Sequence, residues 1–291
     1  MRFQLILPLA FLAIVFFSST CSKVSPPSNP FQLHHDDRLW MEKFLKDVML
    51  GESGIYTLFG SKPMTRFPVF CYSEEDYQQA YNEMSEEDKK NAITLTNYDL
   101  PQNWEKWQMF QAKFPSGRYL LIKQLIPDYP KEFVLCFADL VKVALCLERH
   151  YSLFQRITHQ AFDPLKETLS FKDGSPFWDL VLSNSVLAGI LYGYGERNAF
   201  CFFWKHATND TLSPCFLDGL KFHFYNHPSS ISHTIANFGL PIFASFSELQ
   251  DPMIELYKKE RTEIQQLYKD KDFVEFTLQK LFSSTSEAPI G

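Results

Sequence analysis

Beyond the N-terminus, hydrophobic residues are most concentrated between Gly174 and His206. Ser175 followed by Pro176 is typical of a helix N-cap and first helical position, because the hydroxyl accepts an orphan backbone N–H and proline has no N–H to lose. From Phe177 to Tyr192 apolar side chains occur nearly all round the predicted helix, so the rest of the fold must enclose it. A glycine-containing turn at 193–195 and a second helix to His206 complete a buried central helical hairpin.

Small residues recur along one face of this predicted helix. Ser185, Gly189 and Gly193 are four residues apart, which places them on a single side where another helix can approach closely. Pro130 is typical of a helix start, and the region from Lys131 to His150 is almost as apolar as the hairpin. We therefore expect a helix over 131–150 to pack against the small-residue face.

The remaining apolar pattern predicts long helices and a few short strands. The predicted helices cover about 37–50, 73–92, 101–111, 251–268 and 272–282, and the predicted strands cover 55–59, 67–72, 118–126, 221–225 and 241–246. The middle of the 251–268 helix, Lys258–Glu263, is polar on every face and is expected to project into solvent. Long helical runs beside short, clustered strands predict an α+β fold, a mostly helical single domain with a small antiparallel sheet.

The N-terminus has the pattern of an export signal. Arg2 precedes an apolar run from Leu5 to Phe17, and small residues at 18–20 lead to Cys21. Cys21 resembles the lipidated cysteine of the bacterial lipobox, although Ser18 and Thr20 stand where that box usually has Leu and a Gly or Ala. Lipidation at Cys21, ordinary cleavage and an uncleaved membrane anchor remain open. Each alternative places the domain outside the cytoplasm, and we expect an exported, membrane-anchored protein of the cell envelope or surface.

These patterns divide the chain into four parts. Residues 1–21 form the export segment, and residues 22–30 form a tether rich in Pro and Ser. Residues 31–282 form the globular α+β domain, and residues 283–291 are expected to be a disordered tail. The chain is 45% hydrophobic and 21% charged, which is ordinary for a globular protein.

The charge distribution argues against a nucleic-acid partner. The formal net charge is −6, and no cluster of Lys and Arg lacks interspersed acids. The leader instead predicts a membrane partner, through either the N-terminal segment or a lipid. An envelope or host protein is the second expected class of partner.

The strongest concentration of titratable groups lies between positions 206 and 233. It consists of His206, Asp210, Asp218, His223, His227 and His233. His223 and His227 are four residues apart and share a face on a helix or a strand, which suits a metal, but an edge strand with surface histidines explains them equally. The sequence has no GxSxG, HExxH or paired CxxC motif, so no metal site and no cofactor is predicted.

Two further features carry weaker chemical hypotheses. Asp139 is a candidate buried acid with catalytic potential, although Lys142 three residues later offers an ordinary ion pair. Cys201 and Cys215 are candidates for a disulfide, because the turn between them can bring them together in an exported protein.

Several segments resemble those of uncharacterised exported, lipoprotein-like proteins of obligate intracellular bacteria. The likeness rests on the leader, GIYTLFGSKP at 54–63, LAGILYGYGERNAF at 187–200 and the C-terminal ELYKKERTEI and DFVEF segments, which together cover under half the chain. Such proteins have no assigned chemistry, so the resemblance implies export and membrane attachment but assigns no catalytic residue.

Two classes of function follow from the sequence. The first is a membrane-tethered extracytoplasmic interaction or assembly module whose ligand is unknown. The alternative is an unrecognised hydrolase, possible with or without a metal, that uses the histidines and aspartates of the 206–233 region.

Overall fold

The computed structural model describes residue 31 and residues 33–71, 73–86, 89, 99–114, 116–126, 132–206, 223–224, 234–242, 244–245 and 251–283. The chain divides into two compact units, Met1–Gln32 and Leu33–Gly291, and all the helices and strands described lie in the second unit. Among the described residues, no helix combines the length and the apolar character needed to cross a membrane.

The second unit is mostly helical and contains a small sheet. Its helices are α1 His35–Leu45, α2 Gly54–Leu58, α3 Glu74–Glu83, α4 Leu100–Gln111, α5 Leu140–Arg149, α6 Tyr151–Thr158, α7 Pro164–Ser170, α8 Pro176–Ser183, α9 Ser185–Leu191, α10 Gly195–His206, α11 Pro252–Leu267 and α12 Phe273–Phe282. A π-helical segment, Lys46–Gly51, continues α1, and a 3₁₀ turn, Phe171–Asp173, continues α7. The strands are β1 Met64–Phe70, β2 Tyr119–Leu125, β3 Glu132–Asp139, β4 His223–Phe224 and β5 Ala244–Ser245. The predicted mostly helical α+β class is confirmed.

Strand β3 is the centre of the sheet. The strand order is β1-β3-β2, and both pairings are antiparallel. Alternate residues of β3 face opposite sides, so Val134, Cys136 and Ala138 join the core formed with α5 to α10, whereas Phe137 faces α2 and stacks on Tyr119. The helices therefore cover both faces of the sheet.

The sequence predicted one continuous helix over 131–150, and this prediction is wrong. Glu132–Asp139 is strand β3, and only Leu140–Arg149 is helical. Nearly all of β3 is buried on both faces, and a continuous apolar run does not reveal whether its period is that of a strand or a helix. The predicted strand at 55–59 is wrong for the same reason, since α2 is buried at every position.

The central helical hairpin is present, but its first helix is interrupted and its second helix is not buried throughout, since Phe202, Phe203 and Trp204 are exposed. Ser175 caps α8 as expected, and its Oγ accepts the Trp178 N–H. Asn184 then ends α8 and caps α9, because its side chain accepts the N–H groups of Val186 and Leu187, each at 3.1 Å. Asparagine is a favoured N-cap residue, so this polar side chain splits an otherwise continuous apolar run into two helices.

The small-residue face does receive a close helix contact, but from a different partner. A Cβ atom built on Gly189 would lie 2.9 Å from Cβ and 3.3 Å from Cα of Ala199, which belongs to α10. The prediction that a helix over 131–150 packs against the small-residue face is therefore wrong. The hairpin packs upon itself, with α9 lying directly against α10.

We expect Gly189→Leu to lower the free energy of unfolding by about 3 kcal/mol, because a branched side chain cannot fit against the Ala199 backbone. Gly117→Leu is the matched control, since a Cβ atom there meets nothing within 4 Å. Urea unfolding of both variants would measure the difference. Equal stability of the two variants would contradict close α9–α10 packing.

Candidate functional site

A groove of about 560 Å³ runs between helix α4 and strand β2. It is lined by Trp104, Gln108, Gln111, Ala112, Ser116, Leu121, Ile122, Lys123 and Lys172. Its volume lies within the range of ligand-binding clefts. The groove is therefore a candidate binding site.

Helix α4 supplies one wall of the groove. Trp104, Gln108 and Gln111 lie four and seven residues apart, so they share one face of the helix. The indole N–H of Trp107 donates to Oε1 of Gln111 at 2.6 Å, which leaves the NH₂ group of that amide as a donor. The wall thus combines an aromatic surface with amide donors.

Two lysines give the groove a positive charge. Lys123 lies on β2, with its Nζ 4.1 Å from the ring centroid of Phe133, and Lys172 lies in the 3₁₀ turn after α7. Both side chains are exposed, and none of the lining residues in the described part of the chain is Asp or Glu. Anionic groups are therefore the ligands that this lining favours.

Trp104 adds a buried hydrogen-bond donor to the groove lining. Only 3% of the residue is exposed, and its Nε1 has no hydrogen-bond partner among the described residues. An unsatisfied buried donor costs about 1–3 kcal/mol. The Nε1 atom is itself buried, so a ligand in the groove does not reach it in this structure.

A second polar feature, the Lys62 cluster, lies inside the fold. It consists of Lys62, Glu52, Tyr194, Tyr257 and Glu260. Nζ of Lys62 lies 5.8 Å from the ring centroid of Tyr194, and the Tyr257 hydroxyl donates to the Gly193 carbonyl at 2.7 Å. Lys62 is only 3% exposed and forms no ion pair with a described residue, so this charge is enclosed by apolar and aromatic surface.

Burial changes the pKa values of the cluster in opposite directions. It lowers the pKa of Lys62 to about 8, although the charge of Glu52 partly opposes this effect. It raises the pKa of Glu52 to about 7, because the attraction of Lys62 only partly offsets the loss of solvation. Desolvation dominates in both cases and favours the neutral form of each group.

Glu260 belongs to this cluster, contrary to the prediction for Lys258–Glu263. The expectation that this whole turn of α11 projects into solvent is wrong, since Glu260 is only 7% exposed. Its Oε1 accepts the Ser61 N–H at 2.9 Å, whereas Oε2 has no partner among the described residues. Burial raises its pKa, and a Cβ atom on Gly60 would collide with its carboxylate.

The Lys62 cluster joins segments that are distant in sequence. The loop around Lys62, the turn at Gly193 and the middle of α11 meet there, and these are three of the segments that carry the resemblance to lipoprotein-like proteins. Because its charged groups are enclosed, the cluster fixes these segments relative to each other rather than presenting them to a ligand.

Asp139 lies at a junction between the sheet and helix α5. Its carboxylate accepts from Arg118 at 2.8 Å and forms an ion pair with Lys142 at 3.2 Å. It also caps α5 by accepting the N–H groups of Val141 and Lys142. The ordinary pairing with Lys142 is thus present, and Arg118 is a further partner that the sequence did not indicate.

The other predicted candidates lie largely outside the described residues. His206 ends α10 and His223 lies in β4, but their side chains are not among those described. Outside the described residues lie Asp210, Asp218, His227, His233, Cys215 and Cys21. Cys201 is buried in α10, and its pairing with Cys215 stays a prediction. No group of three or more His, Cys, Asp or Glu within the described ranges is placed to hold a metal ion.

The groove was not predicted from the sequence. The two elements that form its walls were predicted, because helix 101–111 and strand 118–126 were both expected near their observed positions. No local pattern reveals that β2 is at an edge of the sheet, since this depends on the distant strands β1 and β3. Lys172 reaches the groove from still another part of the chain.

Comparisons with known proteins identified no relative. No family model, no curated protein and no solved structure matches this chain. The resemblance to lipoprotein-like proteins therefore stays a prediction.

We expect Lys62→Met to stabilise the protein at pH 7, because it removes a buried charge while keeping a similar side-chain volume. The pKa of Lys62 is lower in the folded state than in the unfolded chain, so deprotonation relieves the penalty as the pH rises above about 8. The stabilising effect of Lys62→Met should therefore shrink by about 2 kcal/mol between pH 7 and pH 10. Urea unfolding at both pH values would measure it.

Lys166→Met is the control for this experiment, since Lys166 is exposed on α7. Its effect on stability should be the same at both pH values. A pH-independent effect of Lys62→Met would show that Lys62 is not held in a desolvated environment.

Proposed function

We propose that this protein is a membrane-tethered extracytoplasmic interaction module, and that its binding surface is the groove between α4 and β2. The observation that carries the proposal is the chemistry of the groove lining. Two exposed lysines and amide donors surround a cleft whose lining, among the residues that the structure describes, contains no acidic residue. This combination suits recognition of an anionic partner.

The same lining argues for binding rather than catalysis at this position. General acid–base catalysis needs a titratable group close to a reacting atom, most often His, Asp or Glu. The groove lining contains none of these and no cysteine among the described residues. Its one hydroxyl side chain, that of Ser116, already accepts the Tyr119 N–H at 2.9 Å.

Membrane attachment is proposed from the N-terminal sequence. The charged start, the apolar run and Cys21 after small residues support export, and the Pro-rich segment at 22–30 supports an extended tether. A tethered domain binds its partner at a raised effective concentration near the membrane. The partner is accordingly expected to be an envelope or host protein at that surface.

Mass spectrometry of the mature N-terminus tests the membrane attachment. We expect a diacylglyceryl group on Cys21 as the first residue, and Cys21→Ala should release the protein from the membrane fraction. A chain that retains Met1 would contradict processing, and a cleaved chain without lipid would contradict lipidation.

Charge reversal tests the groove. With a photo-crosslinking residue at Gln108, which is exposed at the groove, we expect adducts to an envelope or host protein in intact cells. Replacing both Lys123 and Lys172 by Glu should reduce these adducts at least about tenfold, because opposite charges become like charges. Lys166→Glu should leave the adducts unchanged, since Lys166 does not line the groove. Adducts that survive the double substitution would contradict the proposed site.

A further inference from the structure

Strand β2 forms the wall of the groove opposite α4, and it is an edge strand. The order β1-β3-β2 leaves one side of β2 paired with β3. Among the described residues, no strand pairs with its other side. An edge strand has backbone N–H and C=O groups that another extended chain can bind.

The hydrogen-bond pattern identifies which backbone groups face outwards. The Leu140 N–H donates to the Arg118 carbonyl at 2.9 Å, which continues the β2–β3 ladder by one pair. In an antiparallel ladder, bonded and non-bonded pairs alternate along the strand. Leu120 and Ile122 therefore direct their backbone groups towards β3, whereas Leu121 and Lys123 direct theirs away from it.

The other side of the sheet gives the same assignment independently. The Asp139 N–H donates to the Pro63 carbonyl at 3.0 Å, so Asp139 and the alternate residues before it bond towards β1. Ala138 and Cys136 then bond towards β2, where their partners are Leu120 and Ile122. Two separate hydrogen bonds thus agree on the direction of every backbone group in the sheet.

The outward-facing residues are also the residues that line the groove. Leu121 and Lys123 both belong to its lining, and no described residue bonds to their outward N–H and C=O groups. The Tyr119 N–H, the next outward group along the strand, is already bonded to Ser116 Oγ. Leu121 is only 5% exposed, whereas Lys123 is exposed, so the accessible part of this edge within the groove is at Lys123.

We propose that the groove binds an extended acidic polypeptide segment, which adds to the free edge of β2 as a fourth strand of the sheet. The proposal rests on the groove being the interaction site. Main-chain bonds to Lys123 would supply the pairing, as in other cases of strand addition. The positive charges of Lys123 and Lys172 select a segment with acidic side chains, and α4 covers its other side.

The probe is a peptide that binds the purified full-length chain in detergent, and it is selected from a library of random decapeptides. We expect the selected peptides to be enriched in Asp and Glu. Selection against the chain with Lys123 and Lys172 both replaced by Glu should lose these sequences. Selected peptides without acidic enrichment would overturn the choice of partner.

Position 123 allows the charge and the backbone donor to be separated. Lys123→Thr removes the charge but keeps the N–H, and Lys123→Pro removes both. Because this N–H faces away from β3, proline leaves the β2–β3 ladder intact. We expect Lys123→Pro to bind the selected peptide about tenfold more weakly than Lys123→Thr, as for the loss of one backbone hydrogen bond.

Unfolding curves show whether each variant is folded, and N-methylated peptides give a second measurement that needs no variant. Methylation at alternate positions should abolish binding, and methylation at the intervening positions should not. If neither Lys123→Pro nor N-methylation has this effect, strand addition is wrong, although crosslinking at Gln108 can still support the groove as the interaction site.

Two further results would also overturn the inference. The first is a wild-type dimer that Lys123→Pro dissociates, because the occupant of the edge would then be a second copy of the chain. The second is a library that yields no peptide dependent on Lys123 and Lys172. If adducts at Gln108 are absent as well, the proposed function fails together with this inference.

Discussion

The buried carboxylate of Asp139 is the contact on which the arrangement of the sheet and helices depends. It is fully buried, so its charge requires partners, and it finds them in two parts of the chain. Arg118 immediately precedes β2, and α5 supplies both the Lys142 ammonium group and the backbone N–H groups of its first turn. Lys142 also donates to the Thr57 carbonyl in α2 at 2.5 Å, which extends the network to the opposite face of the sheet. Breaking a buried pair of this kind typically costs about 3–5 kcal/mol.

This network explains why the candidate site has a fixed geometry. Arg118 immediately precedes β2, so its bonds to Asp139 hold the first residues of that strand against β3. The groove begins a few residues later, along the opposite edge of the same strand. Its α4 wall is held in turn by aromatic contacts, since Trp107 stacks on Phe44 and on Phe282 of α12. A ligand therefore meets two walls that are positioned before it binds, which reduces the entropy lost on binding.

The sequence allowed the amphipathic elements to be predicted, and it failed where burial is complete on every side. Helices α4, α11 and α12 and strand β1 were expected near their observed positions, because each has one buried and one more exposed face. Strand β2 was also expected near its observed position, from its β-branched and aromatic residues beside a turn. Strand β3 and helix α2 were assigned to the wrong class, since continuous burial removes the periodic signal. The prediction that Glu260 is exposed was wrong for a different reason. A charged residue in a polar run gave no sign that a distant glycine, Gly60, would make room for its carboxylate.

The candidate site depends on tertiary information of the same kind. Lys123 and Lys172 are ordinary surface lysines in the sequence, and they acquire a common role only because the turn after α7 lies beside β2. The direction of each backbone group in β2 is likewise determined by its register with β3. The predicted histidines and aspartates of the 206–233 region were chosen for their closeness in sequence. That criterion cannot identify a site whose residues come from three separate segments.

The outer edge of β2, which no described strand covers, also bears on how the protein would remain dispersed at high local density, as on a crowded membrane. Exposed sheet edges promote aggregation, and natural proteins often protect them with lysine. If two copies met edge to edge in an antiparallel arrangement centred near Lys123, their ammonium groups would lie close together and repel each other. The positive charge proposed to attract an acidic partner would therefore also oppose self-association, and one side chain would contribute to both selectivity and colloidal stability.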